Sequence, residues 1–284
     1  MKISFTKMHG IGNDYIYLNC FDSEPEEPAA LAVEMSPRHF SVGSDGLVLI
    51  CRSQIADAKM RMFNADGSEG KMCGNAIRCV GKYIYDNGMT EKTELKIETL
   101  SGIKTLSLSV KNGKVCSVCV DMGRYTLAPE ALPLLSEKEM IDRPVSVKGK
   151  EYRLTAVSVG NPHAVCFLPE IDGLDLEKIG PDFENLSLFP ERVNTEFVRR
   201  IDPTTLQMRV WERGSGETYA CGTGACATVA AAVVNGLCPA DEDITVRLIG
   251  GELTVRCCSD GSIFMTGAAK KIYEGVYEYG SEAE

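Results

Sequence analysis

One pattern occurs twice in this chain, and it limits the fold more than any other feature. Phe63 leads through Asn64-Ala65-Asp66-Gly67-Ser68 to Cys73-Gly74, after which Ile77, Val80, Gly81 and Ile84 recur at helical spacing. Trp211 leads through Glu212-Arg213-Gly214-Ser215-Gly216 to Cys221-Gly222, and a run from Ala225 to Val234 again reads as a helix. The offset is 221 − 73 = 148 residues, and it holds without a gap from the aromatic pair to the Asn87-Gly88 and Asn235-Gly236 turns. Only Glu69/Glu217, the two Cys-Gly pairs and those turns are identical, so the likeness is one of pattern. The same offset pairs Gly12-Asn13 with Gly160-Asn161 and sets Gly46 opposite Asn194. The chain is therefore read as a duplicated unit with a cysteine at a helix start in each half.

The expected organisation is an N-terminal repeat domain over 1–123, a linker region over 124–150 and a C-terminal repeat domain over 151–284, whose last strand can return to the first domain. Pro129, Pro133 and Pro144 among charges mark the linker. Short strands such as Tyr15 to Leu18, Leu47 to Cys51, Lys59 to Phe63 and Thr195 to Arg199 alternate with few helices, which gives an α/β (α+β) class. Asn112-Gly113 between two alternating runs predicts a hairpin. The run from Ala225 to Val234 carries no charge, so its helix is expected to be enclosed by protein on all sides.

Composition excludes several functions. With 44% hydrophobic and 25% charged residues the chain reads as a soluble globular protein, and no stretch approaches the ~20 apolar residues of a membrane span. A net charge of −10 argues against nucleic acid or an anionic membrane as partner, because both select basic patches. No secretory signal opens the sequence, so a cytoplasmic location is expected, where the twelve cysteines stay as thiols. Cys116 and Cys119 stand three apart on a strand and face opposite sides, and only three histidines are present, so no metal site is expected. Neither a dinucleotide fingerprint nor a phosphate loop occurs, and no cofactor is called for.

Two cysteines at helix starts suggest acid/base chemistry. Unpaired N–H groups and aligned peptide dipoles at a helix N-terminus favour negative charge, so a thiol there is expected to ionise more readily than usual. If the halves close on each other, Cys73 and Cys221 would stand on opposite faces of one carbon. One thiolate would take a proton while the other thiol returns one, which inverts a stereocentre. Gly74-Asn75 and Gly222-Thr223 would offer N–H donors to a shared substrate carboxylate, whose charge grows in the transition state. Cys79 and Cys226, one turn further on, are expected in the core.

These residues resemble the diaminopimelate epimerases over nearly the whole chain. The resemblance is carried by Lys7-Met8-His9-Gly10-Ile11-Gly12-Asn13-Asp14, Phe63 to Ser68, Met72-Cys73-Gly74-Asn75-Ala76 with Arg78, Gly160-Asn161-Pro162-His163, Val193-Asn194, Trp211 to Gly214, and Ala220-Cys221-Gly222-Thr223-Gly224. It implies interconversion of LL- and meso-diaminopimelate, in lysine and peptidoglycan precursor synthesis, without pyridoxal phosphate or another cofactor. It also implies two similar domains, each a curled, barrel-like sheet around a central helix, and a homodimer. By the same resemblance Asn13, Asn64, Asn161, Asn194 and Arg213 hold the substrate, mostly at the amino-acid centre that is not inverted. Glu212 and His163 hold the reacting amino group or support catalysis, and Gly74-Asn75 with Gly222-Thr223 bind the carboxylate at the reacting carbon. One position departs: many members carry Gln where this chain has Gly46.

Other readings compete. Proline racemases and hydroxyproline epimerases share the cysteine pair, but usually have His after the first Cys-Gly, where this chain has Asn75. Cys221 with His163 could serve a cysteine hydrolase, which would leave Cys73 without work. A thiol redox sensor or a duplicated ligand-binding module is the reading outside enzymology. Asn13, Asn161 and Asn194 are each also ordinary turn residues, and Glu212 beside Arg213 is also an ordinary surface ion pair.

Overall fold

The computed structural model describes residues 2–280, which divide into two compact units. The first runs to Val120 and takes back the chain from Gly267 onward; the second is Asp121–Thr266. In the first lie strands β1 (Lys2–Gly10), β2 (Asn13–Cys20), β3 (Gly46–Cys51), β4 (Ala58–Asn64), β5 (Glu69–Gly70), β6 (Glu94–Thr99) and β7 (Gly102–Lys111), with helices α1 (Pro28–Met35) and α2 (Gly74–Asp86). Strand β8 (Lys114–Arg124) carries the chain onward. The second unit holds β9 (Arg143–Val147), β10 (Lys150–Ser158), β11 (Pro162–Phe167), α3 (Leu176–Glu184), β12 (Asn194–Asp202), β13 (Thr205–Glu212), β14 (Gly216–Glu217), α4 (Gly222–Val234), β15 (Asp243–Leu248), β16 (Gly251–Cys257) and β17 (Ser262–Gly267). The last strand, β18 (Lys270–Glu278), pairs with β1 in the first unit.

Strand pairing shows that the duplication reaches the level of register. In the first unit β2 runs parallel to β3 with Ile16 opposite Leu47, and Leu47 in turn lies opposite Phe63 on antiparallel β4. Adding 148 to each number gives Ala164, Thr195 and Trp211, which are opposed in the same way on β11, β12 and β13. A register slip of one residue would turn every side chain to the other face, so this match places corresponding residues of the two halves in corresponding environments.

Each sheet curls around its own central helix. Helix α2 packs on β1, β2 and β7, and α4 packs on β10 to β13 and on β15 and β16. Ten residues of α4, from Gly222 to Ala232, are buried, as expected of a helix built from Ala, Val, Gly and Thr. Small side chains allow that many strands to approach one axis. Cys79 and Cys226 are fully buried within these helices. Asn112 (φ +53°) and Gly113 (φ +72°) both adopt the left-handed backbone of a type I′ hairpin turn between β7 and β8.

Residues 124–150, read from the sequence as a linker, are built into the second unit instead. Strand β9 pairs with β10, and Leu132, Leu134, Met140, Val145 and Val147 belong to the core that also holds Phe183, Phe197 and Trp211. The prolines and charges suggested exposure, but apolar residues between them supply the burial. No helix among the described residues is long and apolar enough to cross a membrane.

One close contact in that core is between α3 and β13. A Cβ added at Gly180 would lie 2.2 Å from the Trp211 ring, so only glycine lets the helix seat on the indole, whose N–H donates to Glu184 Oε2 at 2.8 Å. Gly180→Ala is expected to destabilise the protein by roughly 1–3 kcal/mol through overpacking, seen as a lower urea midpoint; an unchanged midpoint would show that the ring moves freely.

Candidate functional site

Both cysteines are N-cap residues. Cys73 (φ −133°, ψ 120°) precedes α2 and Cys221 (φ −119°, ψ 113°) precedes α4, each with extended backbone, so the following N–H groups of Gly74-Asn75 and Gly222-Thr223 begin their helices with no intrahelical acceptor. Each is delivered by a short hairpin, β4–β5 or β13–β14.

In the first unit Cys73 Sγ donates to Asn13 Oδ1 at 3.4 Å. The amide cannot turn around, because its Nδ2 donates to Asp45 Oδ2 at 2.9 Å, an oxygen that also accepts the Asp14 backbone N–H. Arg38 bridges Asp14 and Asp45 at 2.8 and 2.7 Å, and buried Lys7 pairs with Asp14 and donates to the Gly43 carbonyl. Burial lowers the Lys7 pKa and raises that of Asp45, whereas at Asp14 the cost of burial is outweighed by bonds from Arg38 and Lys7, which hold it below the usual range. Arg78, fully buried, donates to the Gly74 carbonyl at 2.9 Å and to Asn75 Oδ1 at 3.0 Å, fixing the first turn of α2. Asn64 lies opposite Gly46 at the end of β4 and donates to Ser68 Oγ at 2.9 Å. Gly46 itself has φ +155°, and a Cβ there would stand 2.0 Å from the Phe63 carbonyl oxygen. This backbone excludes Gln, and the polar side chain nearest Asn13 comes from Asp45.

In the second unit the polar groups form a continuous chain. His163 lies fully buried between Glu196 Oε1, 2.6 Å from Nδ1, and Asn161 Oδ1, 3.0 Å from Nε2. Asn161 Nδ2 donates to Thr223 Oγ1 at 3.4 Å, and Thr223 Oγ1 stands 3.5 Å from Cys221 Sγ. The Gly224 N–H also donates to that sulfur, at 3.3 Å. Glu212 accepts from Thr218 and from the Cys221 thiol. Asn194 Nδ2 donates to the Pro162 carbonyl at 3.1 Å, and its Oδ1 accepts the Arg213 N–H at 2.9 Å. The Arg213 guanidinium reaches the Glu191 carbonyl at 2.8 Å.

The electrostatics at Cys221 reverse one expectation. Burial pushes its thiol pKa well above the usual value, and the charges of Glu212 and Glu196 push it further; the bonds from Thr223 and Gly224 act the other way and lose. The helix start does not make Cys221 an easily ionised thiol in this state. Burial likewise raises the Glu212 carboxyl, against the pull of Thr218, Cys221 and His163.

The structure thus joins Asn13 to Cys73, and joins Asn161, His163, Thr223, Glu212 and Cys221 in one network, with Asn194 backing Arg213. Sequence reasoning missed Asp45 and Glu196 and gave Arg78 no task. Glu196 had a signal: it is an acid within the strand Thr195 to Arg199 where the matching residue of the first half is Val48. Among the described residues no group of three or more His, Cys, Asp or Glu is placed to hold a metal ion.

Comparison with known proteins fits this architecture. The family model for diaminopimelate epimerase matches residues 5–128 and 155–272. A diaminopimelate epimerase of Acetivibrio thermocellus is 56% identical over 273 residues, covering 95% of this chain and 97% of that protein. One from Methanococcus maripaludis is 53% identical, covering 96% and 99%. Among solved structures, a phenazine biosynthesis protein of the PhzF family from Bacillus anthracis superposes with a TM-score of 0.72 at 18% identity, covering 98% of this chain and 99% of that one. A hydroxyproline epimerase from Agrobacterium vitis gives 0.69 at 17%, covering 97% and 92%. At that identity the two structures share the fold alone.

The raised Cys221 pKa has a direct consequence, since only the thiolate is alkylated. In the substrate-free protein the rate of iodoacetamide modification at Cys221 is expected to keep climbing from about pH 8 to about pH 10, rather than levelling near the ordinary thiol value of about 8.5. Mass spectrometry of the Cys221 peptide measures this, and a plateau at or below about pH 8.5 would contradict it.

Proposed function

The chain belongs to the diaminopimelate epimerase family, isomerases that interconvert stereoisomers of diaminopimelate, and from that premise we propose how its own residues carry the reaction. Cys73 and Cys221 are the two acid/base groups, acting on opposite faces of one α-carbon. The observation that carries this reading is the matched placement of both sulfurs as N-caps of corresponding helices, where the aligned peptide dipoles favour an anion.

The sulfurs differ in what they face. Asn13 Oδ1, locked by Asp45, has no proton to give, so Cys73 supplies one and stands as the acid. Cys221 receives N–H and O–H donors and shares a proton with Glu212. Moving that proton to the raised Glu212 carboxyl leaves a thiolate at Cys221 with no change in the charge of the pair. The thiolate takes the α-proton, and the C–H electron pair passes into the substrate carboxylate, whose added charge is met by the N–H groups of Gly74-Asn75 and Gly222-Thr223. Cys73 then protonates the carbon from the other side. The result is inversion with the two thiol protonation states exchanged, ready for the reverse reaction.

Asn64, Asn161, Asn194 and Arg213 hold the distal amino-acid end, and Glu212 and His163 sit by the reacting amino group. The reading includes conversion of LL- to meso-diaminopimelate in lysine and cell-wall precursor synthesis, without a cofactor, by a cytoplasmic homodimer.

Incubation with LL-diaminopimelate in deuterated water is expected to place solvent deuterium at one α-carbon of the product, detected by mass spectrometry; epimerisation that retains the original hydrogen would end the two-base scheme. Cys73→Ala and Cys221→Ala should each lower turnover by about 10²–10⁴-fold or more, the range for loss of a positioned acid or base, with the melting transition kept. A variant that turns over normally removes its cysteine from the mechanism.

A further inference from the structure

One buried cluster of corresponding positions carries a histidine and an acid in the second half only. Where the first unit has Tyr15, Val48 and Ala76, the second has His163, Glu196 and Gly224, each 148 residues on. All six are buried. Val48 shows that the fold is content with an apolar side chain at this register position, so an acid there is not required for the sheet. Glu196 is bulkier than valine, and the space comes from the loss of one methyl group on the helix: a Cβ at Gly224 would lie 2.7 Å from Glu196 Oε1. Two substitutions on separate elements therefore accommodate one carboxylate.

That carboxylate adds little to stability. It makes one hydrogen bond, from His163, and Oε2 is buried with no partner among the described residues. A buried pair of this kind roughly breaks even against an apolar replacement. Its value lies in what it does to His163. Both ring nitrogens face an oxygen, Glu196 Oε1 on one side and Asn161 Oδ1 on the other, and Thr223 Oγ1 accepts from the Asn161 amide nitrogen, which sets the amide with its oxygen toward the ring. Each ring nitrogen therefore meets an acceptor, an arrangement that a proton on both nitrogens satisfies. From the ring outward every link has one polarity: Nε2–H to Asn161 Oδ1, Asn161 Nδ2–H to Thr223 Oγ1, and the Thr223 hydroxyl to Cys221 Sγ.

We infer that Glu196 is a positioning residue which keeps His163 protonated on both ring nitrogens, so that a line of donors ends on the sulfur of Cys221 and stabilises it as the thiolate base. The inference rests on the assignment of Cys221 as a base. It adds a second acid, absent from the first half, to the one beside the sulfur: Glu212 exchanges the proton with Cys221, whereas Glu196 never meets the substrate, and its direct repulsion of a charge at Cys221 is offset by the positive charge it holds on His163.

The wild-type protein supplies the first test. In ¹⁵N-resolved NMR at neutral pH both His163 ring nitrogens should carry a proton; a neutral ring with one bare nitrogen overturns the inference. The second test is Glu196→Val, which copies the first half. Its stability should match or exceed the parent, because an apolar residue is accommodated at that register, while kcat falls about tenfold or more with KM within about twofold, and the His163 signal changes to a neutral ring. Glu196→Gln, which keeps an acceptor but not the charge, should behave like valine in kcat. Full kcat in either variant overturns the inference. The outcome stays separable from the underlying reading: a Cys221→Ala protein that still epimerises removes the base itself, whereas an inactive Cys221→Ala beside a fully active Glu196→Val removes only the role of Glu196.

Discussion

Everything at the second site depends on which force controls the charge on a buried sulfur. A helix N-terminus stabilises an adjacent anion by about 0.3–1 kcal/mol, up to roughly 2 in sheltered geometry. Full burial opposes ionisation by as much as about 3–5 pKa units, each unit worth about 1.4 kcal/mol. Burial wins, and the neighbouring acids Glu212 and Glu196 add to it, so Cys221 rests as a thiol. The helix start is not wasted by this. Its N–H groups, with Thr223, act to lower the Cys221 pKa, which in the proposed scheme reduces the cost of forming the thiolate when Glu212 takes the proton.

Much of this was legible in the sequence because a duplication exposes itself. The constant offset located both cysteines, both central helices and the Asn13/Asn161 pair, and the register of β2–β3–β4 against β11–β12–β13 repeats that offset in three dimensions. What escaped reading depended on contacts across strands. Asp45 is one of many acids until β3 brings it beside Asn13, and Glu196 looks like a surface charge in an alternating strand until the sheet curls around α4. The stretch 124–150 misled for the opposite reason: prolines and charges dominate the letters, but five spaced apolar residues decide its place.

Gly46 shows why a family residue cannot be assumed interchangeable. Its backbone sits at φ +155° with the Phe63 carbonyl where a Cβ would be. A glutamine could reach the site only if β3 began differently. This chain anchors Asn13 by a carboxylate one residue earlier, itself held by Arg38, which also pairs with Asp14, the partner of a buried lysine. The cost of that burial is visible in the raised Asp45 and lowered Lys7 pKa values, and it is met by an amide whose oxygen can point only at Cys73.

The two halves therefore share a scaffold and divide the electrostatics. The proposed two-base scheme needs an acid and a base at the same moment, and a perfectly symmetric pair of sites would hold both sulfurs in the same protonation state. The first half presents its sulfur to an acceptor, Asn13 Oδ1. The second presents its sulfur to donors, Gly224 N–H and Thr223 O–H, backed by an imidazole and two carboxylates for which the first half has Tyr15, Val48 and Asn64. Since the register is the same, these groups occupy matching positions in the two sheets. Divergence after duplication kept the strand register, with new groups at matching positions and one backbone change at the start of β3, where Gly46 stands opposite Asn194.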